Sequence, residues 1–318
     1  MFADSTTIVV FGEALVDDFI SEQVVGGAPF NVARHLAAFG AAPLTITRIG
    51  SDANGVTVRA EFARFGMRED GLQIDAVAPT GRVIVERSAG THRFIIMLDQ
   101  AYDHIDAGAA LAALSQCAPA TLYFGTLAQR ASASSDALSQ LFAATPARRF
   151  LDLNMREDQV TERCVFASLQ HADIVKVNED ELRELFNWYT PTNTPAQTLP
   201  GRLDMADAQL HAACATLIGV FGLTGLIVTL GERGAVYCGA DRLPVHAGAD
   251  DTAVNVVDTV GAGDAFSAIF LLGSARGWPL DTTLSRANQF AAAICGIAGA
   301  VPADTAFYAP WIARWLAD

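Results

Sequence analysis

Lysine is almost missing from this chain: of its 21 basic residues only Lys176 is a lysine, and the rest are arginines. That scarcity excludes whole mechanisms. A Walker-type phosphate loop needs a lysine after its glycines, and a protein kinase needs one on a strand ahead of its catalytic loop. Lys176, in DIVKVN, fits neither setting. A lysine Schiff base is disfavoured for the same reason. Cysteine is sparse too: Cys117, Cys164, Cys214, Cys238 and Cys295 are odd in number and widely spaced, with no C-x-x-C pair and no clustered histidine. They read as reduced core residues of a cytoplasmic protein rather than a disulfide frame or a metal site. No apolar run is long enough for a membrane span, since the longest, residues 217–231, is broken by glycines, Thr224 and Thr229. Asp4 precedes the first apolar stretch and Glu13 and Asp17 follow it, without the basic residues of a targeting signal. The expectation is a soluble, cytoplasmic protein.

What is present supports a large core. Of 318 residues, 51% are hydrophobic and only 18% charged, a balance that argues against disorder. The net charge of −14 disfavours nonspecific attraction to nucleic acid or to anionic membrane. An anionic ligand would therefore need local, placed donors.

Strand-like and helical patterns alternate for most of the length, which is the signature of a parallel sheet. TTIVVFG precedes a helix at about 29–39, and LTITRIG precedes one at about 55–65. RVIVERSAGTHRFIIML, residues 82–98, alternates on both sides of Ser88-Ala89-Gly90 and reads as an antiparallel hairpin. Parallel strands then resume near TLYFG, RRFLDLN, ADIVKVN and GLIVTLG. Residues 187–201 are rich in Pro, Thr, Asn and Gln and read as a surface loop. Residues 263–299 suggest two helices broken at Gly277-Trp278-Pro279. A Rossmann dehydrogenase is the other α/β candidate, but the first strand runs into GEALVD with no G-x-G-x-x-G.

The strongest chemical signal is DTVGAGDAFSA, residues 258–268, read as a strand (NVVD, 255–258), a turn of small residues and an apolar helix. Gly261, Ala262 and Gly263 would let backbone N–H groups at a helix N-terminus face an anion closely, with the helix dipole adding to the attraction. Asp264 then stands in the first helical turn beside a phosphate-sized site. By itself it could be an N-capping residue; beside an anion site it also suits removal of a hydroxyl proton during phosphoryl transfer.

Further motifs accompany it: GGAPFNVARHLAAFG (26–40), IGSDANG (49–55), LDLNMR (151–156), NEDE (178–181) and TLGERGA (229–235). In this order the chain resembles the PfkB family of carbohydrate kinases over nearly its whole length, and within that family most closely the fructokinases. The resemblance implies an α/β fold, a ribokinase-like three-layer sandwich with a mostly parallel central sheet, helices on both faces, and a small β lid from about 18–26 and 80–98. It implies a single domain over 1–318, either a monomer or a homodimer, acting on ATP and a small-molecule sugar, with no nucleic-acid or membrane partner.

The resemblance also assigns roles to particular residues. Asp264 would deprotonate the sugar hydroxyl, while the amides around Gly261, Ala262 and Gly263 stabilise the transferring phosphoryl group. Asp17, Gly26, Gly27 and Asn31 would surround sugar hydroxyls, joined by Arg156 of LDLNMR; Asp18 is an alternative to Asp17, and Asn31 could instead cap the helix beginning near Pro29. Asn178 and Glu181 would organise Mg²⁺ through water, although Glu179, Asp180 and Glu181 equally suit a helix start. ATP would lie near Thr229, Gly231 and Gly234, with Asn288 beside its base or ribose. Lys176 shares a strand with Asn178, so a point charge there suits the triphosphate, unless it is a solvated strand-end residue.

Departures from the family pattern sharpen the reading. Ala28 stands where phosphosugar-specific members carry Lys, which makes phosphofructokinase activity less expected. Only eight residues separate Asp17 from Gly26, so this segment should add little to a lid. Ala298 stands where the family usually has Arg or Lys, which leaves a K⁺ site near the 258–260 backbone open. ATP-dependent phosphorylation of a primary hydroxyl is expected, O6 of D-fructose first. Ribose, 2-keto-3-deoxygluconate or a nucleoside are the alternative acceptors, and a catalytically weak sugar- or nucleotide-binding sensor is the alternative class.

Overall fold

The computed structural model describes residues 7–19, 22–88, 91–156, 158–190, 199, 202–204, 206–248 and 255–316. In chain order the elements are β1 (Ile8–Phe11), β2 (Leu15–Asp18), β3 (Gln23–Gly26), α1 (Ala28–Ala38), β4 (Leu44–Gly50), α2 (Ala53–Arg64), β5 (Leu72–Asp75), β6 (Gly81–Ser88) and β7 (Thr91–Ile96). They continue with α3 (Ala107–Leu114), β8 (Thr121–Phe124), α4 (Ser132–Ala144), β9 (Arg148–Asp152), α5 (Glu162–His171), β10 (Ile174–Asn178), α6 (Glu179–Tyr189) and α7 (Ala208–Phe221). Last come β11 (Gly225–Thr229), β12 (Ala235–Gly239), β13 (Arg242–Ala247), α8 (Ala262–Arg276), α9 (Leu280–Cys295) and α10 (Ala309–Trp315).

Strand periodicity divides the core into two. Successive side chains point to opposite faces of a sheet, so Val9 and Phe11 of β1 join one apolar cluster while Ile8 and Val10 join the other. Residues of α3 to α7 fill the first cluster, and residues of α1, α2, α8, α9 and α10 the second. The result is a three-layer α/β sandwich. Its nine-stranded sheet runs β13-β12-β11-β10-β9-β8-β1-β4-β5, parallel from β5 through β11 and antiparallel across β12 and β13.

A second, four-stranded sheet has the order β3-β2-β6-β7. Here one expectation needs correction. The short segment before Gly26 supplies half of this sheet: β2 pairs antiparallel with β3 and parallel with β6, so the hairpin β6–β7 does not stand alone. Four residues suffice for each of these strands, which is why a short spacing did not prevent pairing. Of the turn expected at Ser88-Ala89-Gly90, residues 89 and 90 lie outside the described residues.

Other differences have local causes. NVVD forms no strand; the amides of Val257 and Asp258 both donate to the carbonyl of Cys295 at the end of α9, and Val256 and Val257 are 62% and 58% exposed. The apolar pair there is exposed, so it lacks the burial that would hold a strand. α6 continues through Tyr189, into the stretch read as a loop, and residues 191–198 and 200–201 of that stretch lie outside the described residues. The antiparallel pair β12–β13 and the short α10 were not foreseen. The two C-terminal helices are as expected, with α8 ended by Gly277 in the left-handed conformation.

Candidate active site

Sheet order places the site. β4 lies on one side of β1 and β8 on the other, so successive connections diverge at β1. Ligands of open α/β sheets occupy the crevice beyond the carboxyl ends of strands at such a switch point. Glu13 follows β1, Asp152 ends β9 and Asn178 ends β10, and the first turn of α8 brings Asp264 to this same crevice.

Asp264 is 9% exposed. Its Oδ2 accepts from Nδ2 of Asn31 at 2.7 Å, across 233 residues of sequence. Asn31 therefore does not cap α1, whose N-cap is Gly27. Burial pushes the Asp264 carboxyl up to about 6; the Asn31 bond, Lys176 and Arg156 oppose that rise, and the charge of Asp152 adds to it. Ahead of α8, Gly261 has φ +79°, and a Cβ there would lie 2.4 Å from Cα of Ala300, so only glycine fits. Asp258 fastens this turn by accepting from Val260 N at 3.0 Å and Gly299 N at 3.1 Å. The amide of Ala262 donates to Thr259 O. Those of Gly263 and Asp264 take no backbone acceptor among the described residues, which leaves two donors at the positive end of the helix.

Asp17 stands on β2 and is half-buried. A Cβ on Gly26 would fall 2.5 Å from Asp17 Oδ2, so the glycine makes room for this carboxylate. Burial raises the Asp17 carboxyl to about 6, against the charges of Arg156 and Arg34. Asp18 instead pairs with Arg82. Arg156 is exposed, yet its charge reaches Glu13, Asp17 and Asp264.

Lys176 is buried, not solvated. Its Nζ donates to Oδ1 of Asp152 at 2.7 Å, and a Cβ on Gly263 would lie 3.5 Å from it, so the ammonium sits close to the first turn of α8. Oδ2 of Asp152 accepts from Ser267 at 2.7 Å and Tyr123 at 3.2 Å. Nearby, Asn178 and Glu181 form a reciprocal helix cap: Asn178 Oδ1 accepts from Glu181 N at 2.9 Å, and Glu181 Oε2 from Asn178 N at 2.8 Å. Glu181 Oε1 accepts from Met155 N at 2.8 Å. Burial raises the Glu181 carboxyl, while Lys176 lowers it and Asp152 raises it.

A separate group gathers around Ala247. Asn288 Nδ2 donates to its carbonyl at 2.7 Å, and Gly234, at φ +95°, brings its Cα so close that a Cβ would lie 2.1 Å from the same oxygen. Thr229 Oγ1 donates to Val177 O at 3.3 Å, and Gly231 heads the 3-10 turn between β11 and β12. Among the described residues no side-chain hydrogen bond joins this group directly to Asp264.

A buried carboxylate, two helix-start amides without a backbone acceptor among the described residues, and a polar wall thus converge at one crevice. Across residues 13–306 the sequence matches the family model for pfkB family carbohydrate kinases. The chain belongs to that family. It is 29% identical to the fructokinase of Escherichia coli over 283 residues, covering 85% of this chain and 84% of the relative. With the ribokinase of Haemophilus influenzae it shares 25% identity over 269 residues, 85% of this chain and 80% of that one. The fructokinase of Xylella fastidiosa, solved with bound ATP, superposes with a TM-score of 0.78 at 21% identity, covering 99% of this chain and 100% of that one. This carbohydrate kinase therefore has the ribokinase-like fold. Among its described residues no helix is long and apolar enough to cross a membrane.

The kinase site also contains residues that sequence reasoning passed over. Asp152 closes the apolar run of β9, where a carboxylate at the carboxyl end of a parallel strand was the available signal. Glu13 is 5% exposed, its Oε2 has no partner among the described residues, and burial raises its carboxyl to about 7. Arg34 is a charge on the apolar face of α1, one turn beyond Asn31, and it is 3% exposed. A cavity of about 340 Å³ between Leu98, Arg130 and Asp158 contains none of the catalytic, substrate or nucleotide residues expected from sequence.

Proposed function

We propose that this kinase transfers the γ-phosphoryl group of ATP to a primary hydroxyl of an unphosphorylated sugar, D-fructose at O6 first. The observation that carries the reading is the buried Asp264–Asn31 bond, which sets a carboxylate between the polar wall of α1 and β2 and the free amides of α8. At neutral pH a carboxyl with a pKa of about 6 is ionised and still basic enough to take a hydroxyl proton. As that proton moves to Asp264, the sugar oxygen bonds to the γ-phosphorus and the bond to the β-phosphate oxygen breaks, releasing ADP. The amides of Gly263 and Asp264 would receive the charge on the transferring group.

Asp17 and Asn31 suit a polyol, since a carboxylate accepts from two hydroxyls and an amide both donates and accepts. Ala28 begins α1 without a cation, which favours an unphosphorylated acceptor. On the other side, Thr229, Gly231, Gly234 and Asn288 would hold the nucleotide, and Arg156 would close over the acceptor. The small four-stranded sheet would form the lid that excludes water.

Glu181 and Asn178 fit a Mg²⁺ held through water. Each oxygen of Glu181 accepts one backbone N–H, so each retains a lone pair, and hard oxygen donors with incomplete protein coordination suit this ion. When bound, Mg²⁺ supplies charge neutralisation for the phosphate oxygens. Lys176 would add fixed positive charge beneath the same phosphates from within its pair with Asp152.

The test is ADP release over a panel of ketoses, aldoses, nucleosides and phosphosugars. Fructose should be preferred and fructose 6-phosphate should be poor. Preference for ribose, 2-keto-3-deoxygluconate or a nucleoside would replace the acceptor and keep the reaction. Absence of turnover with binding of sugar retained would favour a sensor.

A further inference from the structure

One buried charge beside the proposed base takes no part in that mechanism. Arg34 donates from Nη1 to Glu61 Oε2 at 2.8 Å, and from Nη2 to Val25 O at 2.8 Å and Asn31 Oδ1 at 2.5 Å. Its guanidinium lies 5.0 Å from the centre of the Phe30 ring. It is thus anchored by α2, by β3 and by an aromatic face, and it reaches Asn31 with its orientation already fixed.

The consequence follows from donor and acceptor inventories. A guanidinium only donates, whereas an amide has one accepting and one donating end. With Arg34 on one side, Oδ1 of Asn31 must face it, and Nδ2 must face Asp264. Reversal would set donor against donor at Arg34 and acceptor against acceptor at Asp264, losing both bonds. We propose that Arg34 is the positioning residue for the base: it locks the amide of Asn31 so that Asp264 meets a donor alone and stays ready to accept the proton of the sugar hydroxyl.

The proposal rests on the kinase reading for its purpose, but its physical effect exists in the free protein. Without Arg34 the amide can reverse when Asp264 protonates, and Oδ1 then accepts from the carboxyl O–H. That bond favours the neutral acid, so the carboxyl titrates at higher pH. Other charges act on these groups. Asp152, Lys176 and Arg156 act on Asp264, and Asp264 in turn acts on Glu13 and Tyr123. Glu61, Arg64 and Tyr308 act on Arg34, and Arg34 acts on Asp17 and His35. A direct effect of the Arg34 charge must therefore be separated from an effect through Asn31.

The separating experiment is a double-mutant cycle read by carboxylate ¹³C NMR titration of the full-length protein, with the Asp264 signal assigned through Asp264→Asn. Arg34→Met should raise the midpoint by about half to one unit. In an Asn31→Ala background the same substitution should move it by less than about a third of that. An unchanged midpoint in Arg34→Met overturns the proposal, and so does an equal shift in both backgrounds, which would assign the effect to charge or packing. If Arg34→Met does not fold, Arg34→Lys replaces it: a lysine cannot span Glu61, Val25 and Asn31 together, so the midpoint should still rise, and no rise overturns the proposal. With a turned-over sugar, the acid limb of kcat should shift in parallel, with KM for ATP unchanged. Lack of any sugar-dependent turnover in the wild type would reject the kinase reading and leave the NMR result standing on its own.

Discussion

The surroundings of Asp264 and those of Ala247, proposed to hold the base and ribose of the nucleotide, are built on different principles. Around Asp264, buried side chains bond one another: Arg34 to Asn31, Asn31 to Asp264, and Lys176, Ser267 and Tyr123 to Asp152. Around Ala247, partly exposed side chains bond the main chain, and turns containing glycine do the shaping. A proton must leave a sugar at one defined oxygen, which requires a carboxylate of fixed position and ionisation. A nucleotide held by main-chain turns needs shape and few committed side chains. Substitutions should therefore be costly in the first half and mild in the second.

The largest effect should come from Asp264→Asn, which removes the proposed base and should lower kcat by roughly 10² to 10⁴-fold. Steady-state ADP release checks this, and a variant keeping more than about half of wild-type turnover would remove Asp264 from the mechanism. Its stability should move the other way. Asp264 titrates at about 6 in the fold rather than at the ordinary 3.8, so the folded state holds the proton more tightly than the unfolded chain. That stabilisation is complete below about pH 4 and is lost as pH rises through about 6. Asparagine does not titrate, so Asp264→Asn should gain on the wild type across this window, by about 1 to 3 kcal/mol above it. Urea unfolding at both ends of the window measures the gap, and a gap that does not widen with pH contradicts the assigned burial.

Next in size is Lys176→Met. Removing one partner of a buried ion pair leaves a carboxylate uncompensated and costs about 3 to 5 kcal/mol. The loss should appear first as stability, with kcat falling in the fraction that remains folded. Pairing the substitution with Asp152→Asn should restore most of the stability, because the stranded charge is gone. If the double variant is stable but its KM for ATP rises and kcat stays low, the ammonium acts on phosphate as well. Wild-type kinetics in that double variant would reduce Lys176 to a structural role.

The two halves also differed in how legible they were. Asp264 could be named from sequence because the small residues of GAGD precede it and mark close approach, whereas Asp17 and Asn31 were named only by the family resemblance. Their mutual arrangement could not: the Asn31–Asp264 bond spans most of the chain, and Arg34 looked like any polar residue on a helix. Lys176 was noticed for its rarity, yet its partner Asp152 went unseen, because a carboxylate at a strand end is ambiguous until the neighbouring strand is placed. The parallel sheet was readable from alternating periods, whereas β2 and β3, at four partly polar residues each, gave little strand signal. NVVD misled for the opposite reason, being apolar without being buried.

A smaller effect is expected at the acceptor wall. Asp17→Ala should weaken sugar binding by about 1 to 3 kcal/mol, since hydroxyls held there would lose their acceptor. ATP binding should hardly change. Isothermal titration with each substrate separates the two, and equal losses would make Asp17 a support of β2 instead of a sugar contact.

The mildest prediction concerns Asn288. Its amide donates to Ala247 O at 2.7 Å, the carbonyl against which Gly234 also packs, so it ties α9 to the turn after β11. Asn288→Ala removes one hydrogen bond at a partly exposed position, where water can replace it, and the net cost should be about 1 kcal/mol. Expressed as binding, that is a rise of roughly fivefold in KM for ATP, with kcat and sugar KM unchanged. A fall in kcat of more than about tenfold would show that the turn around Ala247 transmits its position to Asp264. The two halves would then work as one unit, and the contrast between a committed acceptor wall and a tolerant nucleotide wall would fail.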